Sequence, residues 1–223
     1  MYHRVNDNLQ PNDLVVPVAK FREQMSYLKK NCEVIGIERL LSEERKKQKV
    51  VITFDDGYRD NYLNAYPILK ELGLPGTIFL ITGMINTDKK RPRYQDMPAP
   101  DMLSWDEVYE MSHNGISLGA HTITHPHLSK LAYEDQKKEI WGSIRTLVPT
   151  GPEVSVSQLL FCYPYGDYNS DTLRILKELG VKLAFTIKPG INSEKVNPLE
   201  LRRTEINGID SLFDFKKKLA GYD

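Results

Sequence analysis

Cysteine is scarce in this chain. Cys32 and Cys162 are the two present among 223 residues, too few for a disulfide framework, and their isolated placement matches neither a zinc-ribbon nor a redox spacing. Long apolar runs are missing too. None approaches the ~20 residues a bilayer-spanning helix needs, and the start Met1-Tyr2-His3-Arg4 has no signal-peptide core. The expectation is that the protein is not exported or that its export segment lies outside this chain, so the compartment stays open; Tyr2-His3-Arg4-Val5 reads as the end of a strand that begins upstream. An excess of one charge sign is the third absence. The 30 Lys and Arg balance 30 Asp and Glu, which removes the electrostatic reason to expect nucleic acid, since phosphate binding needs a basic face. A neutral substrate is expected instead.

What is present is an ordinary globular composition, 40% hydrophobic and 27% charged. A chain of this length buries roughly 70% of the surface it exposes when unfolded. That suffices for one core in a single domain over residues 1–223, so any metal would serve chemistry. Phe21, Met25 and Leu28 fall at helical spacing, and Lys49-Val50-Val51-Ile52-Thr53-Phe54 has buried-strand character. Beyond it the pattern predicts a helix over 61–72 ended by Gly73, a strand over 76–81, a helix over 105–113 and a strand near 116–120. A helix over 132–148 follows, then a strand over 159–162, a helix over 171–179 ended by Gly180 and a last helix near 211–220. Ile68-Leu69-Lys70-Glu71-Leu72-Gly73-Leu74 recurs as Ile175-Leu176-Lys177-Glu178-Leu179-Gly180-Val181. Each copy precedes an apolar strand and follows a strand ending in a Gly loop, as repeated β-loop-α units of a parallel sheet or barrel would. The stretch 82–103, rich in Pro, Asp and Lys, reads as a surface excursion that could wall a groove.

Three segments carry chemistry. Asp55-Asp56-Gly57 follows the apolar run, at the carboxyl end of a strand, where α/β folds place active sites. Adjacent strand residues face opposite ways, so both acids reach one site only if the strand breaks, and Gly57 is expected to supply the break. Read alone, the segment fits an Asp-Gly turn equally well. His121-Thr122-Ile123-Thr124-His125-Pro126-His127 holds three of the five histidines. His121 and His125 have the spacing of two imidazoles on one ion but lack the Glu of a metalloprotease helix. His127 could be a third ligand, though a solvent or packing role is favoured because Pro126 turns the chain. One carboxylate plus two imidazoles leaves a position for water, the catalytic arrangement for zinc-like ions, and the second carboxylate can take that water's proton, giving metal-assisted hydrolysis. In Phe161-Cys162-Tyr163-Pro164-Tyr165-Gly166 the N–H of Tyr165 could face a developing oxyanion, although such a segment is commonly core strand and turn.

In this order, Thr53-Phe54-Asp55-Asp56-Gly57, His121-Thr122-Ile123-Thr124-His125 and Tyr163-Pro164-Tyr165-Gly166 resemble the three main motifs of the polysaccharide deacetylases of carbohydrate esterase family 4. Leu103-Ser104-Trp105-Asp106 is similar to the segment that family carries ahead of its histidines. The resemblance implies a distorted (β/α) barrel of about seven parallel strands, a metal-dependent hydrolase, and removal of N-acetyl groups from amino sugars. It gives Asp55 the role of catalytic base, Asp56, His121 and His125 those of metal ligands, and Tyr165 that of oxyanion donor. Two departures stand out: Cys162 occupies the place of an Arg that usually braces the base, and no His follows His127 to act as general acid. Tyr2-His3-Arg4 resembles the late strand-plus-His motif moved to the N-terminus. That is the permuted order of the poly-N-acetylglucosamine deacetylases of biofilm matrices, and His3 becomes the acid.

The expected cofactor is one divalent ion, zinc first, with cobalt, nickel or iron compatible with the same donors. The expected partner is an acetylated, β-1,6-linked N-acetylglucosamine polysaccharide, met by a monomer at the cell envelope or outside the cell. Tyr163, Pro164 and Trp105 are expected on the substrate side, and Tyr58, Tyr94 and Tyr168 could also stack on sugars or simply pack. Two rivals remain open: a deacylase or deformylase of a small nucleotide- or lipid-linked amino sugar, and a carbohydrate-binding pseudoenzyme.

Overall fold

Apolar strands alternating with amphipathic helices build a curled parallel sheet in the computed structural model, which describes residues 1–40, 49–87, 101–147, 159–193 and 195–222. In chain order the elements are β1 (Arg4–Val5), β2 (Val15–Val16), α1 (Val18–Asn31), β3 (Glu33–Val34), β4 (Lys49–Val50), β5 (Thr53–Phe54), α2 (Tyr66–Leu72) and β6 (Gly76–Leu80). They continue with α3 (Trp105–His113), β7 (Ile116–Ala120), α4 (Tyr133–Leu147), β8 (Leu160–Cys162), α5 (Ser170–Glu178), β9 (Leu183–Phe185) and α6 (Leu212–Leu219). The main sheet runs β5-β6-β7-β8-β9, every pair parallel. Of the about seven strands expected, these five are regular. Tyr2 adds to the β5 edge and Leu201 to the β9 edge, each through a single parallel bridge. The two additions meet where Ile206 N–H donates to the Met1 carbonyl at 3.1 Å, giving the distorted (β/α) barrel.

Side-chain alternation along each strand sorts the core. On β6, Ile78 and Leu80 join a cluster with Phe21, Met25 and Leu69 beneath the first helices, while Phe79 turns inward to Leu160, Cys162, Leu183 and Phe185. On β8, Phe161 packs outward with Ile140, Ile144 and Ile175 of α4 and α5. The apolar run 49–54 is not one strand. Val50 pairs with Val34 of β3, while Thr53 pairs with Thr77 of β6, so the run changes partners in its middle. The helix expected over 61–72 opens as a π-helical turn, Asn61–Ala65, before becoming α2. The excursion 82–103 is only partly on the surface. Met84, Ile85, Met102 and Leu103 are buried, and Leu103 N–H and Arg59 N–H bond across to Gly57 and Asp101; residues 88–100, Tyr94 included, lie outside those described.

The repeated heptapeptide folds alike in both places. Gly73 and Gly180 adopt φ of 63° and 74°, and the next amide reaches back from Leu74 to Leu69 and from Val181 to Leu176. This is the left-handed helix stop that glycine supplies without Cβ strain. A Cβ at either position would meet nothing within 4 Å. Gly73→Ala and Gly180→Ala should therefore each cost only the backbone term, about 1–2 kcal/mol, in urea unfolding; clearly unequal costs would show that a contact, not the backbone, decides.

Candidate active site and metal centre

Asp55, just past β5, keeps a bond to the neighbouring edge, its N–H donating to the Tyr2 carbonyl at 2.9 Å. Asp56 then turns to φ 80° and Gly57 to φ 87°. The break expected at Gly57 begins one residue earlier, in Asp56 itself, a residue type that tolerates the left-handed region better than most. It sends the two carboxylates to different partners within one site. Asp56 Oδ1 lies 3.5 Å from Nε2 of His121 and 3.5 Å from Nε2 of His125, all three side chains buried. Asp55 faces Arg203.

His121 follows β7 directly, its amide bonded to Leu80, and its Nδ1 contacts the Cys162 carbonyl at 2.8 Å. Nδ1–H donation to that carbonyl turns Nε2 toward Asp56, the usual outer-sphere arrangement of a metal-binding imidazole. Thr122 and His125 both take positive φ, 65° and 63°. That path is stitched locally: Thr122 Oγ1 accepts from His125 N–H at 2.9 Å, and Glu139 on α4 accepts from the amides of Ile123 and Thr124, each at 2.9 Å, and from Thr124 Oγ1 at 2.8 Å. The donor atoms of Asp56, His121 and His125 lie within 4.8 Å of one another. One oxygen and two imidazole nitrogens, convergent and buried, fit a divalent ion with a position left for water. His127 is not among the grouped ligands; it is exposed, its Nδ1 3.8 Å from Asp167 Oδ2.

The brace absent from the third motif comes from elsewhere. Arg203 donates from Nη1 to Asp55 Oδ1 and from Nη2 to Asp55 Oδ2, both at 2.7 Å, a buried bidentate pair. Its Nε bonds the Thr186 carbonyl and its Nη2 contacts Cys162 Sγ at 2.9 Å. The expectation of an unbraced base is therefore corrected: Cys162 vacates the space that a guanidinium enters from 41 residues downstream in sequence. Burial would push the Asp55 carboxyl up, but the Arg203 charge and hydrogen bonds override it and hold the group well below the usual carboxylate range.

His3 is buried against the same site, its Nδ1 3.5 Å from Glu205 Oε1. Burial lowers its pKa from the ordinary imidazole value, opposed by the charges of Asp56, Asp55 and Glu205. Its backbone is held by the π-turn: Asn61 Nδ2 donates to the His3 carbonyl at 3.0 Å and Asn64 Nδ2 to that of Val5 at 2.7 Å. Buried Asp60 accepts from Arg4 Nε at 2.7 Å, Val5 N–H and Asn6 Nδ2. Tyr165 lies at φ 58°, ψ 11°, its ring against those of His125 and His127.

The polysaccharide deacetylase family matches residues 42–184. The chain belongs to the polysaccharide deacetylases. It is 30% identical over 93% of its length to the YxkH protein of Bacillus subtilis, whose name places it in that family, and spans 70% of that protein. It is 29% identical over 78% of its length to the poly-β-1,6-N-acetyl-D-glucosamine N-deacetylase of Staphylococcus aureus, covering 61% of it. Among solved structures, the Streptococcus pyogenes deacetylase PplD, in complex with acetate, superposes with a TM-score of 0.80 at 28% identity, covering 98% of this chain and 96% of that one.

The residues expected on the substrate side divide. Tyr163 is fully buried and bonds through its hydroxyl to the Leu199 carbonyl at 2.6 Å, and Pro164 is buried beside it. Both side chains are corrected to core: Tyr163, just past β8, packs with Phe161 under α4 and α5, and Pro164 opens the turn that follows. Tyr58 is likewise buried, with Met84 and Met102. Trp105 is half-buried against the first core cluster, its ring 6.0 Å from that of Tyr109. Tyr168 stacks on Tyr163 and bonds Glu200. Arg203, Glu139, Asp60 and Asn61 escaped sequence reasoning. For Arg203 a sequence signal existed: in Leu199-Glu200-Leu201-Arg202-Arg203 apolar and charged residues alternate, and the same period puts Arg203 on the side of Leu201.

Removing Arg203 leaves a buried, unpaired carboxylate. Arg203→Met should cost about 3–5 kcal/mol near neutral pH, the usual penalty for breaking a buried pair from one side. Since Asp55 titrates below its unfolded value, the pair stabilises above the ordinary carboxylate range and its contribution fades as pH falls toward the folded value. The gap between wild type and variant in urea midpoint should therefore narrow in acid; a gap constant with pH would contradict the assignment.

Proposed function

We propose that the chain is a zinc-dependent N-deacetylase of an N-acetylglucosamine polysaccharide with poly-β-1,6 linkage, acting on a glycan of the cell envelope or surrounding matrix. One observation carries the reading: a braced carboxylate, a three-donor ligand set and an N-terminal histidine converge on one buried site. The name of the Staphylococcus aureus relative supports the glycan. Among the described residues no helix is long and apolar enough to cross a membrane.

Asp56, His121 and His125 would hold the ion, which supplies Lewis-acid polarisation and lowers the pKa of a water. Asp55, kept ionised by Arg203, accepts the proton from the attacking water. The N–H of Tyr165 donates to the oxygen that becomes negative as the carbonyl carbon turns tetrahedral. His3 gives its proton to the departing nitrogen, so acetate and a free amine leave. Arg203 also limits the base: a carboxylate so stabilised is a weak acceptor, so the arrangement works only on a water already made acidic.

Asp55→Asn should lower acetate release from a β-1,6-linked N-acetylglucosamine oligomer by about 10²–10⁴-fold, the range for losing a general base, while zinc still binds stoichiometrically. His125→Ala should lose zinc and activity together, and near-normal turnover in Asp55→Asn would remove that residue from the role. The alkaline limb of the rate profile should follow His3. The acid must be protonated, and burial lowers its pKa, so activity falls as pH rises through a value below that of a free imidazole. An unchanged alkaline limb in His3→Ala would exclude it as the acid.

A further inference from the structure

We propose that His127 is a positioning residue for the oxyanion donor, its ring holding Tyr165 in the backbone conformation that aims the Tyr165 amide into the site. This rests on the deacetylase reading. Tyr165 sits at φ 58°, ψ 11°, a left-handed conformation that crowds the Cβ of any L-residue and that an aromatic side chain gains nothing by adopting. Such a conformation persists only where its surroundings over-determine it. The turn alone supplies two backbone hydrogen bonds, Gly166 N–H to Tyr163 and Asp167 N–H to Pro164, each 2.9 Å.

The ring is held as well. Tyr165 lies flat on His127, centroids 4.1 Å apart and planes 13° from parallel. His125 meets it edge-on at 4.4 Å and 68°. His125 belongs to the ligand group, so that wall of the slot is fixed; His127 is the other wall. A second rung lies two residues further along both loops: the Asp167 carboxylate accepts from Ser129 N–H at 2.9 Å and from Ser129 Oγ at 2.7 Å. The two rungs fasten the loop bearing the histidines to the loop bearing the oxyanion donor. His127 has 44% of its side chain exposed, so its ring is not buried to support the core. What it supports is Tyr165.

The test compares His127→Ala and His127→Phe in the zinc-loaded full chain, with kcat and KM for acetate release from the oligomer. The φ-dependent HN–Hα coupling at the Tyr165 backbone amide, which ring currents do not alter, is the second readout, taken in the metal-free protein. Losing an oxyanion donor outright costs about 10²–10³-fold in kcat, and a misaimed donor keeps part of its effect. His127→Ala should therefore lower kcat about 10-fold at nearly constant KM and change the Tyr165 coupling, and His127→Phe, which keeps the flat face, should restore both. Wild-type kcat in His127→Ala, or a His127→Phe as slow as His127→Ala, overturns the proposal. If the wild type releases no acetate the deacetylase reading fails, and the Tyr165 coupling still decides the positioning: changed by Ala and restored by Phe upholds it, unmoved by Ala overturns it.

Discussion

Adjacent residues of a regular strand point to opposite faces, and the site depends on how β5 escapes that rule. Asp55 keeps its ladder bond to Tyr2, and Asp56 leaves the strand in a left-handed turn. That one backbone reversal separates the labour of two neighbouring carboxylates, one delivered to Arg203 and the other to a pair of imidazoles. Of the five non-glycine residues at positive φ among the described residues, Asp56, Thr122, His125 and Tyr165 lie in the three chemical segments and Asn86 lies outside them. Strain gathered at the reacting centre is what a preorganised site looks like, provided the surroundings hold it. Here they do so locally, through Glu139 on the Ile123 and Thr124 amides and Thr122 on the His125 amide.

The other constraint is closure of the barrel. Among the described residues the main sheet consists of β5 to β9, and the gap is spanned by two irregular segments, around Tyr2 and Leu201, touching through Ile206 and Met1. Those two segments bring His3, Arg203 and Glu205. The fold's least regular portion therefore supplies the candidate acid and the brace on the base, while its regular strands supply Asp56 and the histidines. The π-turn at Asn61–Ala65 belongs to the same device, since its side chains hold the backbone of His3 and Val5.

Much of this was legible in sequence. Period and glycine stops placed α3 and β7 residue for residue and α4, α5 and α6 to within a residue or two, because each helix has one apolar face and a defined end. The acids and the histidine pair were each legible from short-range spacing behind an apolar strand, and the family resemblance brought the two groups into one site. What escaped depends on contacts distant in the chain. Arg203 reaches Asp55 across 148 positions and Glu139 reaches Ile123 across 16, and neither partner is implied by its own neighbours. Tyr163 misled for the opposite reason: its place in a chemical segment suggested contact with sugar, but the strand alternation continues past β8 and buries its ring with Phe161 on the helix-covered face.

Division of the site between ordered strands and an irregular seam has a consequence for partial unfolding. If the segment around Leu201–Ile206 peels away, Arg203 leaves Asp55 and Glu205 leaves His3, yet β5, β6 and β7 still carry Asp56, His121 and His125. Such a sub-globally open form would keep the candidate ligand set together while parting the proposed base and acid from the groups that hold them. On the proposed reading, occupancy by metal and competence for chemistry would therefore be separate thermodynamic properties of this chain, with the ligand set on one part of the fold and the brace on the other.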